Sequence, residues 1–202
     1  MHDFSNAAPQ QDFGTIPDGT LAFGILNIRP SNGNMVTQSK ATEGSAYLDI
    51  EVTVSEGPFA RRKIWEKIGV AGSEKWINMG RSAIRSILEV GRGASQSNMA
   101  GYQIADYAAL NGLTVAMEIG IEKEAGYDDK NRIKAFLTPN PESSTSKKFA
   151  KLLEMKQAGY SGQSAAPAKA PAASAPAWGA PAAGATQAPA QATPATNKPA
   201  WL

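Results

Sequence analysis

Tyr47-Leu48-Asp49-Ile50-Glu51-Val52-Thr53-Val54 alternates without a slip. Leu48, Ile50, Val52 and Val54 fall on one side. Tyr47, Asp49, Glu51 and Thr53 fall on the other. A period of two marks a strand with one buried and one solvated face. Antiparallel sheets carry that pattern, so the segment points to a mainly β fold.

Working outward, Glu56-Gly57-Pro58 turns the chain. Arg61 to Ile68 then alternates again. Upstream, Thr20 to Ile28 is apolar and β-prone. Downstream, Leu113 to Ile121 places Leu113, Val115, Met117, Ile119 and Ile121 on one face. Asp128 and Asp129 close that strand, and a fifth runs from about Asn131 to Leu137, ahead of Pro139. Between the third and fourth strands lies a helix capped by Ser73, with Ile77, Gly80, Ile84, Ile87 and Leu88 on one face and Gly91 as its C′ residue. A second helix is expected over Thr145 to Gln157. Five strands with a helix between the third and fourth is the order of the OB-fold. The expected fold is a five-stranded OB-like barrel with a C-terminal helix.

Composition divides the 202 residues into three. Residues 1–16 are polar and read as a flexible leading segment. Residues 17–158 read as one folded domain, long enough to bury its own core. Residues 159–202 read as a disordered tail: from Ser161 onward there are 17 Ala and 7 Pro, no acid, and two bases, Lys169 and Lys198. Too little bulky apolar surface is left there to offset the entropy of ordering.

The same arithmetic excludes several functions. Cysteine is absent and His2 is the only histidine. No Ser/His/Asp or Cys/His centre and no thiolate or imidazole metal site can be built. Neither catalytic residues nor a cofactor are expected. No apolar run reaches the roughly 18 residues of a membrane span, and no secretory leader is visible, so a cytoplasmic location and no membrane partner are expected. Glu118, Glu122, Asp128 and Asp129 are acidic enough to suggest a divalent ion, but such clusters also serve turns and surfaces.

Function is sought first on the third strand. Arg61, Lys63, Trp65 and Lys67 share one parity. Cations interleaved with an indole suit single-stranded nucleic acid: the cations meet phosphates and the ring stacks on a base. The plain alternative makes Trp65 a core aromatic with a solvated cationic rim. From Arg61 to Arg85 seven bases face two acids. Arg81 and Arg85 lie on one helical stripe, and either extend that strip or solvate the helix, with Arg85 pairing Glu89. The fifth strand repeats the theme with Arg132, Lys134 and Phe136, preceded by Tyr127 and Lys130. Against these, Glu118, Glu122, Glu124, Asp128 and Asp129 are expected to make the fourth strand's solvent side acidic. In an OB barrel the loop joining strands one and two borders the binding groove; here it is about Pro30 to Gly44, with Lys40 in it and Arg29 at its base, while the insertion at 91–111 has no assigned role. In the tail, Pro176-Ala177-Trp178 is echoed by Pro199-Ala200-Trp201-Leu202, so Trp178, Trp201 and Leu202 are candidate partner-binding residues.

Four segments carry a resemblance. They are Ile16-Pro17-Asp18-Gly19; Ser55-Glu56-Gly57-Pro58-Phe59-Ala60-Arg61-Arg62-Lys63-Ile64-Trp65-Glu66; Gly80-Arg81-Ser82-Ala83-Ile84-Arg85; and Gly126-Tyr127-Asp128-Asp129-Lys130-Asn131-Arg132-Ile133-Lys134. Together, over about 16–138, they resemble a family of small phage proteins, largely of unassigned function, that sits among replication and recombination genes. Some members are OB-fold single-stranded-DNA-binding proteins. The chain departs from that pattern in its 91–111 insertion. Its tip, Lys198-Pro199-Ala200-Trp201-Leu202, also lacks the acids that close the tails of bacterial single-stranded-DNA-binding proteins. The resemblance places the family's basic-aromatic strand on Gly57 to Trp65 and its tyrosine-acid-x-basic turn on Tyr127 to Lys134; taken with the charge and parity pattern, the expectation is a non-enzymatic protein that binds single-stranded DNA through Phe59, Arg61, Arg62, Lys63, Trp65, Lys67, Arg81, Arg85, Tyr127, Lys130, Arg132 and Lys134. Replication or recombination proteins would be met through the tail, and self-association stays open. The alternative is an adaptor that uses the barrel and the Trp-bearing tail to bind other proteins.

Overall fold

The computed structural model describes residues 14–160. Six strands and two helices follow one another: β1 (Thr20–Ile28), β2 (Val36–Gln38), β3 (Ala46–Val54), β4 (Lys63–Ala71), α1 (Glu74–Gly91), β5 (Thr114–Glu122), β6 (Lys130–Leu137) and α2 (Ser146–Gln157). The alternating stretch that opened the sequence reading is β3, buried at every second residue. β1 pairs antiparallel with β3 on one side and β5 on the other; β3 also pairs with β4, and β5 with β6.

The sheet is open, which corrects the expected closed barrel. β4 and β6 close no ladder with each other; they meet through side chains, chiefly the Glu66–Arg132 ion pair at 3.6 Å. Alternation specifies which face of a strand is buried, not which strand lies beside it. A sixth strand, β2, arises inside the expected 30–44 loop and pairs with Ala46 to Leu48. β6 also carries a bulge. Ile119 faces Ile133 and Glu118 faces Ala135, leaving Lys134 unpaired. The extra residue inverts parity beyond it. Phe136 therefore packs on the main core instead of joining Arg132 and Lys134 outside.

Both faces of the central strands are buried. One face carries Leu26, Leu48, Ile50, Val52, Val115, Met117 and Ile119, with Ile87 and Leu88 of α1 against them. The opposite face holds Leu21, Phe23, Ala116 and Leu137, covered by Phe149, Leu152 and Met155 of α2. This corrects the expected acidic solvent side of the fourth strand at Glu118, while Glu124, Asp128 and Asp129 are exposed as expected and Glu122 partly so. Glu118 is buried under α2 and bonds Lys148 at 2.5 Å. Burying a carboxylate without a partner is costly, so the lysine comes with it.

The boundaries extend past the sequence reading at both ends. Ile16 is fully buried, its backbone held by Asn131 through two bonds of 2.8 Å. Tyr160 is also buried, against Gly57 and Glu56. Burial and the Glu56 carboxylate push its phenol up to about 12. The remaining tail, with Trp178, Trp201 and Leu202, lies outside the described residues, as does His2.

α1 begins as expected: the Ser73 hydroxyl accepts from the Trp76 backbone N–H at 3.3 Å. It ends two residues later. Gly91 stays in the helix, Arg92 caps it, and Gly93 takes the left-handed turn at φ +62°. Gly80 sits where the helix meets β4. A Cβ there would stand 1.8 Å from the carbonyl oxygen of Gly69. The indole of Trp76 lies over Gly69 in turn, 2.5 Å from where that residue's Cβ would be. Two glycines therefore set the spacing of α1 and β4.

The 91–111 insertion is a packed cover. Two short 3-10 turns, Met99–Tyr102 and Tyr107–Leu110, bring Tyr102, Ile104, Tyr107 and Leu110 onto the main core. Asn111 accepts from the Ile28 backbone N–H at 2.6 Å, carrying the cover onto the end of β1. Among the described residues no helix is long and apolar enough to cross a membrane.

Candidate nucleic-acid interface

β4 presents Lys63, Trp65 and Lys67 on its outer face, with Ile64 and Ile68 buried behind. Trp65 is 50 % exposed. Its cross-strand partner is Glu51, which accepts from the indole N–H at 3.1 Å. Glu51 also takes the Lys63 ammonium at 2.8 Å. The Lys63 hydrogen bond holds the Glu51 carboxyl below its ordinary value, burial opposes this, and the indole N–H assists. The ring is thus pinned by its polar edge. Lys67 stands over the Tyr47 ring, 4.8 Å from its centre.

Phe59 is a correction. Its side chain is 6 % exposed and belongs to the main core, so it cannot stack on a base. The turn at Gly57, with φ +81°, folds the ring under the β3–β4 hairpin. Arg61 lies in that turn, not on the strand, at φ +70°. A non-glycine residue there costs about 1 kcal/mol or more. Arg62 donates to the Gly14 carbonyl at 2.7 Å.

The remaining candidates divide by position. Tyr127 is 74 % exposed in the turn between β5 and β6. Lys130 bonds Glu122 at 3.1 Å and Glu124 at 3.6 Å, which raises its ammonium above the ordinary lysine value, Glu122 contributing most. Arg132 lies 3.6 Å from Glu66 and 3.7 Å from Glu122. Lys134 is 3.8 Å from Asp18. On α1, Arg81 is exposed, while Arg85 is committed to Glu89.

Two clefts follow the gap between β4 and β6. One, of about 670 Å³, is lined by Trp65, Lys63, Arg62, Lys130 and Asn131 among others. A second, of about 360 Å³, lies between α1 and β6 and is lined by Met79, Ala83 and Phe136. They share Glu66, Lys67, Trp76 and Arg132, so they join into one seam. The sequence reading found Trp65 and Arg132 but not the seam. Gly69 was the available signal, since glycine inside a strand marks close approach.

Sequence reading also missed the network at the far end of α1. Glu89 is 4 % exposed. It accepts from Arg85 Nε at 3.0 Å, from the Tyr102 hydroxyl at 2.8 Å, from Asn140 Nδ2 at 3.4 Å, and from the Thr138 hydroxyl. These residues tie α1, the insertion and the exit of β6 together. Burial pushes the Glu89 carboxyl up, but the bonds from Thr138, Tyr102 and Arg85 outweigh it and leave the group below its ordinary value. Among the described residues no three His, Cys, Asp or Glu side chains come together to hold a metal ion.

No protein-family model and no curated protein sequence matches the chain.

Proposed function

We propose that the protein binds single-stranded DNA stoichiometrically, without strong sequence preference and without a catalytic step. The observation that supports this is the half-exposed, edge-pinned Trp65 between Lys63 and Lys67 on β4. A pinned ring loses little freedom when a base stacks on it. Stacking is worth roughly 1–3 kcal/mol per base and reads no base edge. Lys63, Lys67, Lys130 and Arg132 supply cations along the same cleft. Most are matched by carboxylates, so few phosphates are neutralised. Affinity then falls with salt at about −0.7 per phosphate, over roughly three to five phosphates. Such a protein would cover or organise single strands in replication or recombination, the setting of the phage family it resembles.

The test is tryptophan quenching in the full chain carrying Trp178→Phe and Trp201→Phe, titrated with an oligothymidylate of about 30 nucleotides. The expected result is saturable, salt-reversible quenching, much weaker with duplex. Trp65→Ala is expected to weaken binding by about 10- to 100-fold in a gel shift while leaving the fold intact, since the ring makes no core contact. No retention at micromolar protein would sink the single-strand reading. It would move the protein to the adaptor reading, in which the folded domain and the Trp-bearing tail bind a protein partner.

A further inference from the structure

Stacking on Trp65 leaves the rest of the seam unexplained. Only three buried side-chain polar atoms among the described residues lack a hydrogen-bond partner: Thr37 Oγ1, Glu66 Oε2 and Trp76 Nε1. Two of the three belong to residues that line the seam where the clefts join. One is a donor and one an acceptor. An unsatisfied buried polar group is expensive, and native structures keep few of them. Most of the seam's lining is polar or charged, but beside Trp76 it offers apolar surface, with Met79 57 % exposed and Phe136 lining the same cleft.

We propose that the seam is a subsite for one unpaired nucleobase, read at its Watson–Crick edge. This rests on the single-strand reading above and deepens it. The base lies over Met79, with its Watson–Crick edge turned toward the Nε1 edge of the Trp76 indole. Its ring N–H or exocyclic amine donates to Glu66 Oε2, and its neighbouring carbonyl or ring nitrogen accepts from Trp76 Nε1. Every base carries such a donor beside an acceptor, so the subsite tolerates all four. It does not tolerate a base already paired. The seam therefore gives selectivity for single strands, which an open stacking platform supplies less sharply.

Arg132 is the gate. Its guanidinium covers Glu66 and Glu122 but comes no nearer than 3.6 Å to either. It is close to half exposed. Turned outward it meets a phosphate and uncovers Glu66 Oε2. Glu66 Oε1 stays in place, because it accepts from the Lys67 backbone N–H at 3.0 Å. The carboxylate is thus oriented by its own strand before the base arrives.

The experiment compares an oligothymidylate of about ten nucleotides with the same oligomer methylated at every N3. Methylation removes the ring N–H and leaves the stacking face and the phosphates. The full-length protein is expected to bind the methylated strand about tenfold more weakly, the loss of one hydrogen bond to a charged group. Glu66→Met, which keeps the side-chain length and removes the acceptor, is expected to bring that ratio close to one. Equal affinity of the wild type for both strands would overturn the subsite and leave stacking on Trp65 standing. A tenfold ratio that persists in Glu66→Met would show steric exclusion instead, and overturn the role of Glu66. If neither oligomer binds at micromolar protein, the single-strand reading falls and the subsite with it.

Discussion

Gly80→Ala is expected to destabilise the protein by about 2 kcal/mol or more, against the usual direction of that substitution. In a solvent-exposed helix, alanine is better than glycine by about 1 kcal/mol. Here the added Cβ would stand 1.8 Å from the Gly69 carbonyl oxygen and 2.8 Å from its carbon. Those are backbone atoms and cannot rotate away. α1 must lift from β4 by more than an ångström, or β4 must bend. Overpacking of this kind costs about 1–3 kcal/mol, occasionally more, and contact with backbone belongs at the upper end. The steric term wins. Urea unfolding checks it: the midpoint should drop with the slope unchanged. An unaltered or raised midpoint would mean that α1 is not seated on Gly69. Because Trp76 lies on the same glycine, the substitution should also displace that indole from the seam.

Glu89→Ala is expected to cost about 2–4 kcal/mol at neutral pH. The substitution removes the acceptor for two hydroxyl groups, Tyr102 and Thr138, and for Asn140. Each donor left buried without a partner costs about 1–3 kcal/mol. Arg85 is half exposed and can turn to water, so its loss counts for little. The pH dependence has a definite sign. The Glu89 carboxyl lies below its ordinary value of 4.5 in the folded protein. Its contribution is fully present above that value and is lost as pH falls through the lower, folded one. The stability gap between wild type and Glu89→Ala should therefore narrow below pH 4.5. Glu89→Gln keeps the size but presents an NH2 group to one of the hydroxyls. It should recover only part of the loss. Thermal unfolding at several pH values tests both statements; a gap that is constant down to low pH would place the proton elsewhere.

Much of the fold was legible because it depends on local rules. Period-two alternation gave β3 and β5, and the Ser73 cap gave the start of α1. The C-terminal helix was found, but not what it covers. Phe149 and Leu152 looked like a short stripe, and nothing local says that it buries the second face of β5 and hides Glu118. Barrel closure failed for the same kind of reason. Whether β4 and β6 pair depends on how the two ends of the sheet meet, and here only side chains cross the gap. The candidate interface divided along this line. Trp65 stands on a regular strand, so its parity placed it outside. Phe59 stands in a turn, where parity has no meaning, and the left-handed Gly57 sends it inward. Arg85 and Glu89 were paired correctly by their spacing of four, but Tyr102, Thr138 and Asn140 come from distant segments.

β1 and β5 serve both apolar clusters at once. Leu21 and Phe23 point to α2 while Ala22 and Leu26 point to the main core, and Ala116 lies between Val115 and Met117 in the same way. Neither cluster has a strand of this pair to itself. Detaching α2 would wet one side of the two strands on which the other cluster is built. Partial unfolding that spares the centre is therefore unfavourable, and the two layers should come apart in a single cooperative step. In deuterium exchange the slowest amides should be those of β1 and β5, released only when the whole domain opens.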